Sequence, residues 1–290
     1  MKLSVCTISF RHHLTSLGQI ARWAVARGFS GIELWGVHAR NLADHPEYDP
    51  SWLRAQGLAV PMISDYLPLG GDPDAAVDKA RSLCRLANLW GAKKVRTFAG
   101  SRGSDAIDDD ERAAWTARLR ELAQIAQDHG LSLVVETHPS TLADTLPSIV
   151  RLLNEVDHSA LRLNFDVIHV WESGADPIEA LGRVEPVVAH MHFKNIARRD
   201  QLSAFAPSNV YSPAGDRAGM VSIFEGAFDY EPFLRFVMTK SSLRWSELEA
   251  SLEWFGSDVL PTLEGDHRRI TELEAKTLGL PAVHAALPLA

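Results

Sequence analysis

Glu136, Asp166, His192 and Glu253 are residues of the types that hold metal ions, and each ends a short β-rich run. The runs are Leu-Ser-Leu-Val-Val-Glu, Leu-Arg-Leu-Asn-Phe-Asp, Val-Val-Ala-His-Met-His and Ala-Ser-Leu-Glu. Three carboxylates and one imidazole form an oxygen-rich donor set for a divalent cation, Mn²⁺ or Mg²⁺ first, with Co²⁺ or Zn²⁺ as substitutes. Side chains so far apart in sequence meet only where strand ends converge, as they do around the mouth of a parallel barrel. Strand alternation allows this. Residues 134, 136 and 138 share a face, as do 164 and 166, then 190, 192 and 194, then 249, 251 and 253. The residues between them (Leu133, Val135, Phe165, Met191, Phe193 and Leu252) are apolar, as a face turned toward helices requires. The competing reading is an internal polar network at the barrel mouth, which without a cation would carry a large desolvation cost.

Further polar groups cluster around these positions. His138, two residues beyond Glu136 on the same face, is placed to be a general base; the alternative is an imidazole that holds a ligand or water. His169, three residues after Asp166, either lines the mouth and orients a bound water or is structural. His190, deeper on its strand, reads as a hydrogen-bonded core residue. Arg96 and Lys194 are cations near strand ends and should each have an anionic partner. That partner is either a substrate carboxylate or a protein carboxylate such as Glu33. Tyr66 offers a hydroxyl or a packed ring. Trp35, Phe98, Phe205, Trp254 and Phe255 shield the mouth if they face it, and the His12-His13 pair reads as loop decoration.

The elements that must position these groups follow from the pattern. Strands are predicted at 3–8, 31–35, 59–65, 94–98, 131–137, 161–166, 187–193 and 249–254. Amphipathic helices lie between them, for example at 17–27, 74–90, 110–129 and 229–240. This alternation gives an α/β chain whose natural closure is a single-domain (β/α)8 TIM barrel over 1–280, with a frayed tail at 281–290. Gly28, Gly91 and Gly130 read as helix C-caps, and the acidic run 108–111 as a helix N-terminus. The longest irregular stretch, 195–228, is expected to be a lid or binding loop.

Composition is that of a globular protein, with 46% hydrophobic and 23% charged residues and a net charge of −8. No basic run favours nucleic acid, and no apolar stretch is long enough for a membrane span. The two cysteines, Cys6 and Cys84, lack CxxC spacing and read as buried thiols in a reducing compartment. The N-terminus has no signal-peptide pattern, so a cytoplasmic location is expected.

The stretches Cys6-Thr-Ile-Ser-Phe-Arg-His12, Gly31-Ile-Glu-Leu-Trp-Gly36, Met62-Ile-Ser-Asp-Tyr-Leu67 and Arg96-Thr-Phe-Ala-Gly100 carry a resemblance. So do Glu136-Thr-His-Pro139, Trp171-Glu-Ser-Gly-Ala-Asp-Pro177, His192-Phe-Lys-Asn-Ile196 and Ser251-Leu-Glu-Trp-Phe-Gly256. Together they resemble the xylose-isomerase-like TIM-barrel superfamily and, within it, the 3-dehydroshikimate dehydratases of the petrobactin siderophore type. The resemblance implies metal ligation by Glu136, Asp166, His192 and Glu253, with His138 as base. It also implies substrate contacts from Tyr66, Arg96, Lys194 and Tyr211. The implied reaction turns 3-dehydroshikimate into protocatechuate and water, with a divalent metal polarising the ketone. A homo-oligomer is also implied. The chain departs from the pattern at 241–249, which is longer before the last strand, and in its extended C-terminus.

Other readings stay open from sequence. A sugar or sugar-acid isomerase or epimerase could use the same metal, and a non-catalytic hydroxy-acid binder would need the ligands without the base. A phosphodiesterase would want more metals and a basic track. Siderophore biosynthesis and aromatic catabolism are both compatible with a protocatechuate product.

Overall fold

The computed structural model describes residues 1–281 apart from Pro46 and Asp49. The described residues form ten strands: β1 (Lys2–Cys6), β2 (Gly31–Trp35), β3 (Ile63–Ser64), β4 (Lys94–Thr97), β5 (Ser132–Glu136), β6 (Leu161–Asp166), β7 (Val188–Phe193), β8 (Asn195–Ile196), β9 (Met220–Val221) and β10 (Glu249–Leu252). All but β8 and β9 are parallel and close into one barrel in the order β1-β10-β7-β6-β5-β4-β3-β2. Register sets like against like across the barrel interior. Cys6 lies beside Glu33, Ser64 beside Arg96, Glu136 beside Asn164, Asp166 beside His192, and His192 beside Ser251. The opposite faces of these strands are apolar and buried against helices, with Leu133, Val135, Phe165, Met191, Phe193 and Leu252 almost fully enclosed. The barrel interior is therefore polar and the layer outside it apolar.

The helices start where their caps are. Ser16 and Gln19 form a reciprocal capping box at Leu17–Ala26, and Asp108 accepts from the Glu111 N–H at the start of Asp109–Asp128. Gly28, Gly91 and Gly130 follow helices with φ of 78°, 72° and 72°, the left-handed region expected of C-caps.

Several boundaries differ from expectation. The first strand ends at Cys6, where Thr7–Phe10 tightens into a 3-10 turn. The third shrinks to Ile63–Ser64, because Pro61 has no N–H for the ladder; only a lone bridge joins Gly31 to Ala59. The last strand stops at Leu252, although the Glu253 N–H still donates to the Phe193 carbonyl at 3.1 Å. The stretch 195–228 is not irregular throughout. It holds a 3-10 segment (Arg199–Phe205), a short helix (Pro207–Tyr211) and the antiparallel β8–β9 pair. Asn195 anchors it by donating to the carbonyls of Ile223 and Phe228, at 2.7 and 2.8 Å. Residue 226 must be glycine for this, since a Cβ there would lie 2.1 Å from the Asn195 side chain. Before the expected tail the helix Val259–Leu278 packs on the barrel. Pro281 is exposed, and 282–290 lie outside the described residues. Among the described residues no helix is long and apolar enough to cross a membrane. Cys6 and Cys84 are free and buried.

Candidate active site

The barrel brings Glu136, Asp166, His192 and Glu253 around a single atom, His192 Nδ1. Glu253 Oε1 lies 3.5 Å from it, Glu136 Oε2 3.6 Å and Asp166 Oδ2 3.9 Å. All four side chains are buried, yet Nδ1 has no hydrogen-bond partner. Each carboxylate is oriented by a neighbour. Asn164 donates to Glu136 Oε2 at 3.2 Å. Asp166 caps the short helix Val167–Glu172, its Oδ1 accepting from the His169 N–H at 3.4 Å, which turns Oδ2 toward the site. Thr137 ties the two strand ends, its hydroxyl accepting from the Asp166 N–H at 2.9 Å.

Arg96 and Lys194 have protein partners here, and Glu33 is not the one. Arg96 Nε lies 3.0 Å from Glu136 Oε2. Lys194 Nζ donates to Asp166 Oδ2 at 2.5 Å and Glu253 Oε2 at 2.8 Å. Glu33 faces His192 and His190 instead, at 3.0 and 3.3 Å from their Nε2 atoms. Burial alone would lower the His192 pKa, but Glu253, Glu33 and Glu136 outweigh it and lift it to about 9. Burial likewise opposes ionisation of Glu253, yet His192 and Lys194 hold it at about 2. The four carboxylates Glu33, Glu136, Asp166 and Glu253 face two fixed cations, Arg96 and Lys194. With His192 neutral, the cluster is two positive charges short. The donor set, the unpartnered imidazole nitrogen and this charge deficit all fit one divalent cation.

Beside this cluster opens a cavity of about 470 Å³, lined among others by Tyr66, Phe98, His138, His169, Phe205 and Tyr211. His138 Nδ1 hydrogen-bonds the Pro139 carbonyl at 2.7 Å, so the ring donates there and keeps its lone pair on Nε2. Burial, then the neighbouring His169, hold its pKa well below the usual imidazole value. His169 is built the same way. Its Nδ1 meets Glu172 Oε2 at 2.8 Å, and its buried Nε2 has no hydrogen-bond partner, 3.9 Å from Asp166 Oδ2. The two rings lie 4.4 Å apart. Tyr66 and Tyr211 are hydrogen-bonded through their hydroxyls, Trp35 stacks on Tyr211 at 5.8 Å, and the Arg96 guanidinium sits 5.0 Å from the Tyr66 and Phe98 rings. Arg96 Nη1 is buried with no partner. Arg11 fastens the Tyr211 helix by donating to the Val210 carbonyl at 2.5 Å.

Sequence reasoning missed Glu172 as the partner of His169. The i, i+3 spacing within one helical turn was the available signal. Of the protein carboxylates open to Arg96 and Lys194, those of the candidate metal ligands rather than Glu33 are the partners, a choice set by cross-barrel distances that strand parity does not supply. His190 is a buried, hydrogen-bonded core residue as expected. His12 and His13 are exposed.

The xylose isomerase-like TIM barrel model matches residues 21–275. A 3-dehydroshikimate dehydratase of Bacillus anthracis is 43% identical over 277 residues, covering 93% of this chain and 97% of that protein. The crystal structure of AsbF from Bacillus anthracis, described as a probable 3-DHS dehydratase involved in petrobactin synthesis, superposes with a TM-score of 0.87. It is 42% identical, covering 93% of this chain and 99% of that one. A xylose isomerase-like TIM barrel protein from Mycobacterium smegmatis, in complex with magnesium, shares the fold at a TM-score of 0.68 and 21% identity. Coverage there is 96% of this chain and 97% of the other. Closed parallel barrel, matched motifs and near full-length similarity agree: the chain belongs to the xylose isomerase-like TIM barrel family.

Proposed function

We propose that the protein is a divalent-metal-dependent 3-dehydroshikimate dehydratase that forms protocatechuate and water. The observation that carries this reading is the pairing of a cation-deficient carboxylate–imidazole cluster with a neutral, tautomer-fixed His138 that lies two residues beyond Glu136 and lines the cavity. Similarity over nearly the whole chain to the Bacillus anthracis dehydratase supports the choice of substrate. Glu136, Asp166, His192 and Glu253 would hold the cation, Mn²⁺ or Mg²⁺ by donor type. When bound, it supplies Lewis-acid polarisation of the substrate ketone.

The protein's own groups do the rest. His138 Nε2 takes the vinylogous ring proton; a positioned base of this kind contributes about 10²–10⁴-fold. That proton, carried on His138 Nε2, passes to the departing ring hydroxyl, while His169, its Nδ1–H held by Glu172, turns its Nε2 lone pair into the site to accept a hydrogen bond from the leaving water. Loss of that hydroxyl as water makes the ring aromatic, which drives the reaction forward. Arg96, with Nη1 unspent, and the Tyr66–Tyr211 hydroxyl pair hold the substrate carboxylate by charge-assisted hydrogen bonds. Lys194, engaged by Asp166 and Glu253, balances ligand charge and touches the substrate from that side. Phe98 and Phe205 line this end of the cavity with apolar rings, Phe205 backed by Phe255. The isomerase reading is weaker because the free base at the wall is an imidazole, with every nearby carboxylate already paired to a cation or imidazole.

The deciding test supplies purified protein with Mn²⁺ and 3-dehydroshikimate. Catechol-type ultraviolet absorbance should develop. Unchanged absorbance, with turnover of a ketose instead, moves the assignment to isomerisation.

A further inference from the structure

Beneath the four candidate ligands a line of polar groups runs down the barrel to its floor. Its lower end is Lys94, whose ammonium reaches Glu249 Oε2 at 2.5 Å, the Ala189 carbonyl at 3.0 Å and His190 Nδ1 at 3.1 Å. His190 Nε2 then lies 3.3 Å from Glu33 Oε2 and 2.9 Å from the Ser251 hydroxyl. Glu33, fully buried, also meets His192 Nε2 at 3.0 Å, the Ser64 hydroxyl, and the Cys6 thiol at 3.6 Å.

The donors and acceptors of this line permit one arrangement of protons. An ammonium has three donors and no acceptor, so His190 Nδ1 must accept from Lys94. A neutral imidazole then carries its hydrogen on Nε2, which donates toward Glu33 and Ser251. A carboxylate only accepts, so His192 Nε2 must also donate to Glu33. The lone pair of neutral His192 is thereby confined to Nδ1, the buried, unpartnered atom that Glu136, Asp166 and Glu253 surround.

We infer that Glu33, itself set by His190 and Lys94, is a positioning residue that fixes the His192 tautomer and presents Nδ1 to the cation. The inference rests on the metal reading proposed above. Glu33, His190 and His192 are close enough together to suggest a metal site of their own. Lys94 and the donors already around Glu33 fill that space, so the line works as a scaffold of hydrogen bonds with one cation above it. Partners of this kind typically change metal affinity by 10–100-fold.

The test titrates metal-free protein with Mn²⁺, following the free-ion electron paramagnetic resonance signal, for the wild type and for Glu33→Gln. The variant keeps the side-chain shape but presents an N–H₂ donor to one imidazole. Its Kd should rise about 10–100-fold with an unchanged circular dichroism spectrum. A Kd within about twofold of wild type would overturn the positioning role, and so would binding of two Mn²⁺ ions per chain. A second readout needs no variant. In ¹⁵N-histidine spectra of wild-type protein loaded with Zn²⁺, the ligating imidazole should be metallated at Nδ1 and protonated at Nε2; metallation at Nε2 overturns the inference. Wild-type protein that binds no Mn²⁺ at all refutes the metal reading itself, an outcome distinct from an unaffected Glu33→Gln variant.

Discussion

Binding of a divalent cation should expel one proton from His192. In the metal-free protein the surrounding carboxylates lift its pKa to about 9, so at pH 7 nearly all of these rings carry the extra proton. A cation needs the Nδ1 lone pair, while Glu33 retains the proton on Nε2. Each binding event at pH 7 therefore releases about one proton, and apparent affinity rises about tenfold per pH unit between pH 6 and 8. The protonation opposes binding by about 3 kcal/mol at pH 7, a penalty that disappears as pH rises through the folded-state value. Isothermal titration calorimetry with Mn²⁺ in buffers of differing ionisation enthalpy reads the proton count directly. Release of fewer than about 0.3 protons, or an affinity flat across that range, would refute the assignment of His192 as a ligand that sheds a proton.

Three other perturbations follow from the same geometry. His138→Ala should keep Mn²⁺ affinity and lose about 10²–10⁴-fold in kcat, since its Nε2 is the proposed base; full turnover would remove it from that role. Arg96→Gln should lower kcat/KM for 3-dehydroshikimate about 10–150-fold through a higher KM, the worth of a hydrogen bond to a charged group; an unchanged KM would exclude Arg96 from carboxylate binding. Asp266 accepts from the Ser222 hydroxyl and the Ile223 N–H, and burial raises its pKa to about 6. A raised acid stabilises the fold most below its unfolded value and loses that contribution as pH climbs through 6. Denaturant melts from pH 4 to 8 should therefore show a decline of at most roughly 3 kcal/mol that Asp266→Asn removes. Identical pH dependence in the variant would contradict this.

Much of the scaffold is legible in the sequence because two simple periods encode it. Alternation along each strand places 136, 166, 192 and 253 on the interior face, and Gly28, Gly91 and Gly130 mark where helices stop. Less legible is whatever depends on distance across the barrel. Parity assigns Glu33 to the interior, but only closure of β1 against β10 carries His192 and His190 to it. The partners of Arg96 and Lys194 are hidden for the same reason: several carboxylates share their layer, and register selects among them. Pro61 cuts a strand that the apolar run 58–63 extends, a case of a missing donor overriding hydrophobic pattern. In 195–228, turn residues mask local order that comes from Asn195 and from Arg217 gathering backbone carbonyls of the loop, contacts with no sequence period.

The most direct test is crystallographic. A crystal soaked in Mn²⁺ and measured at the manganese edge should give one anomalous peak per chain, touching Glu136, Asp166, Glu253 and the Nδ1 of His192, with Lys194 displaced from between Asp166 and Glu253 or retained at the rim. A peak elsewhere, or those four side chains turned apart with no anomalous density among them, would contradict the account.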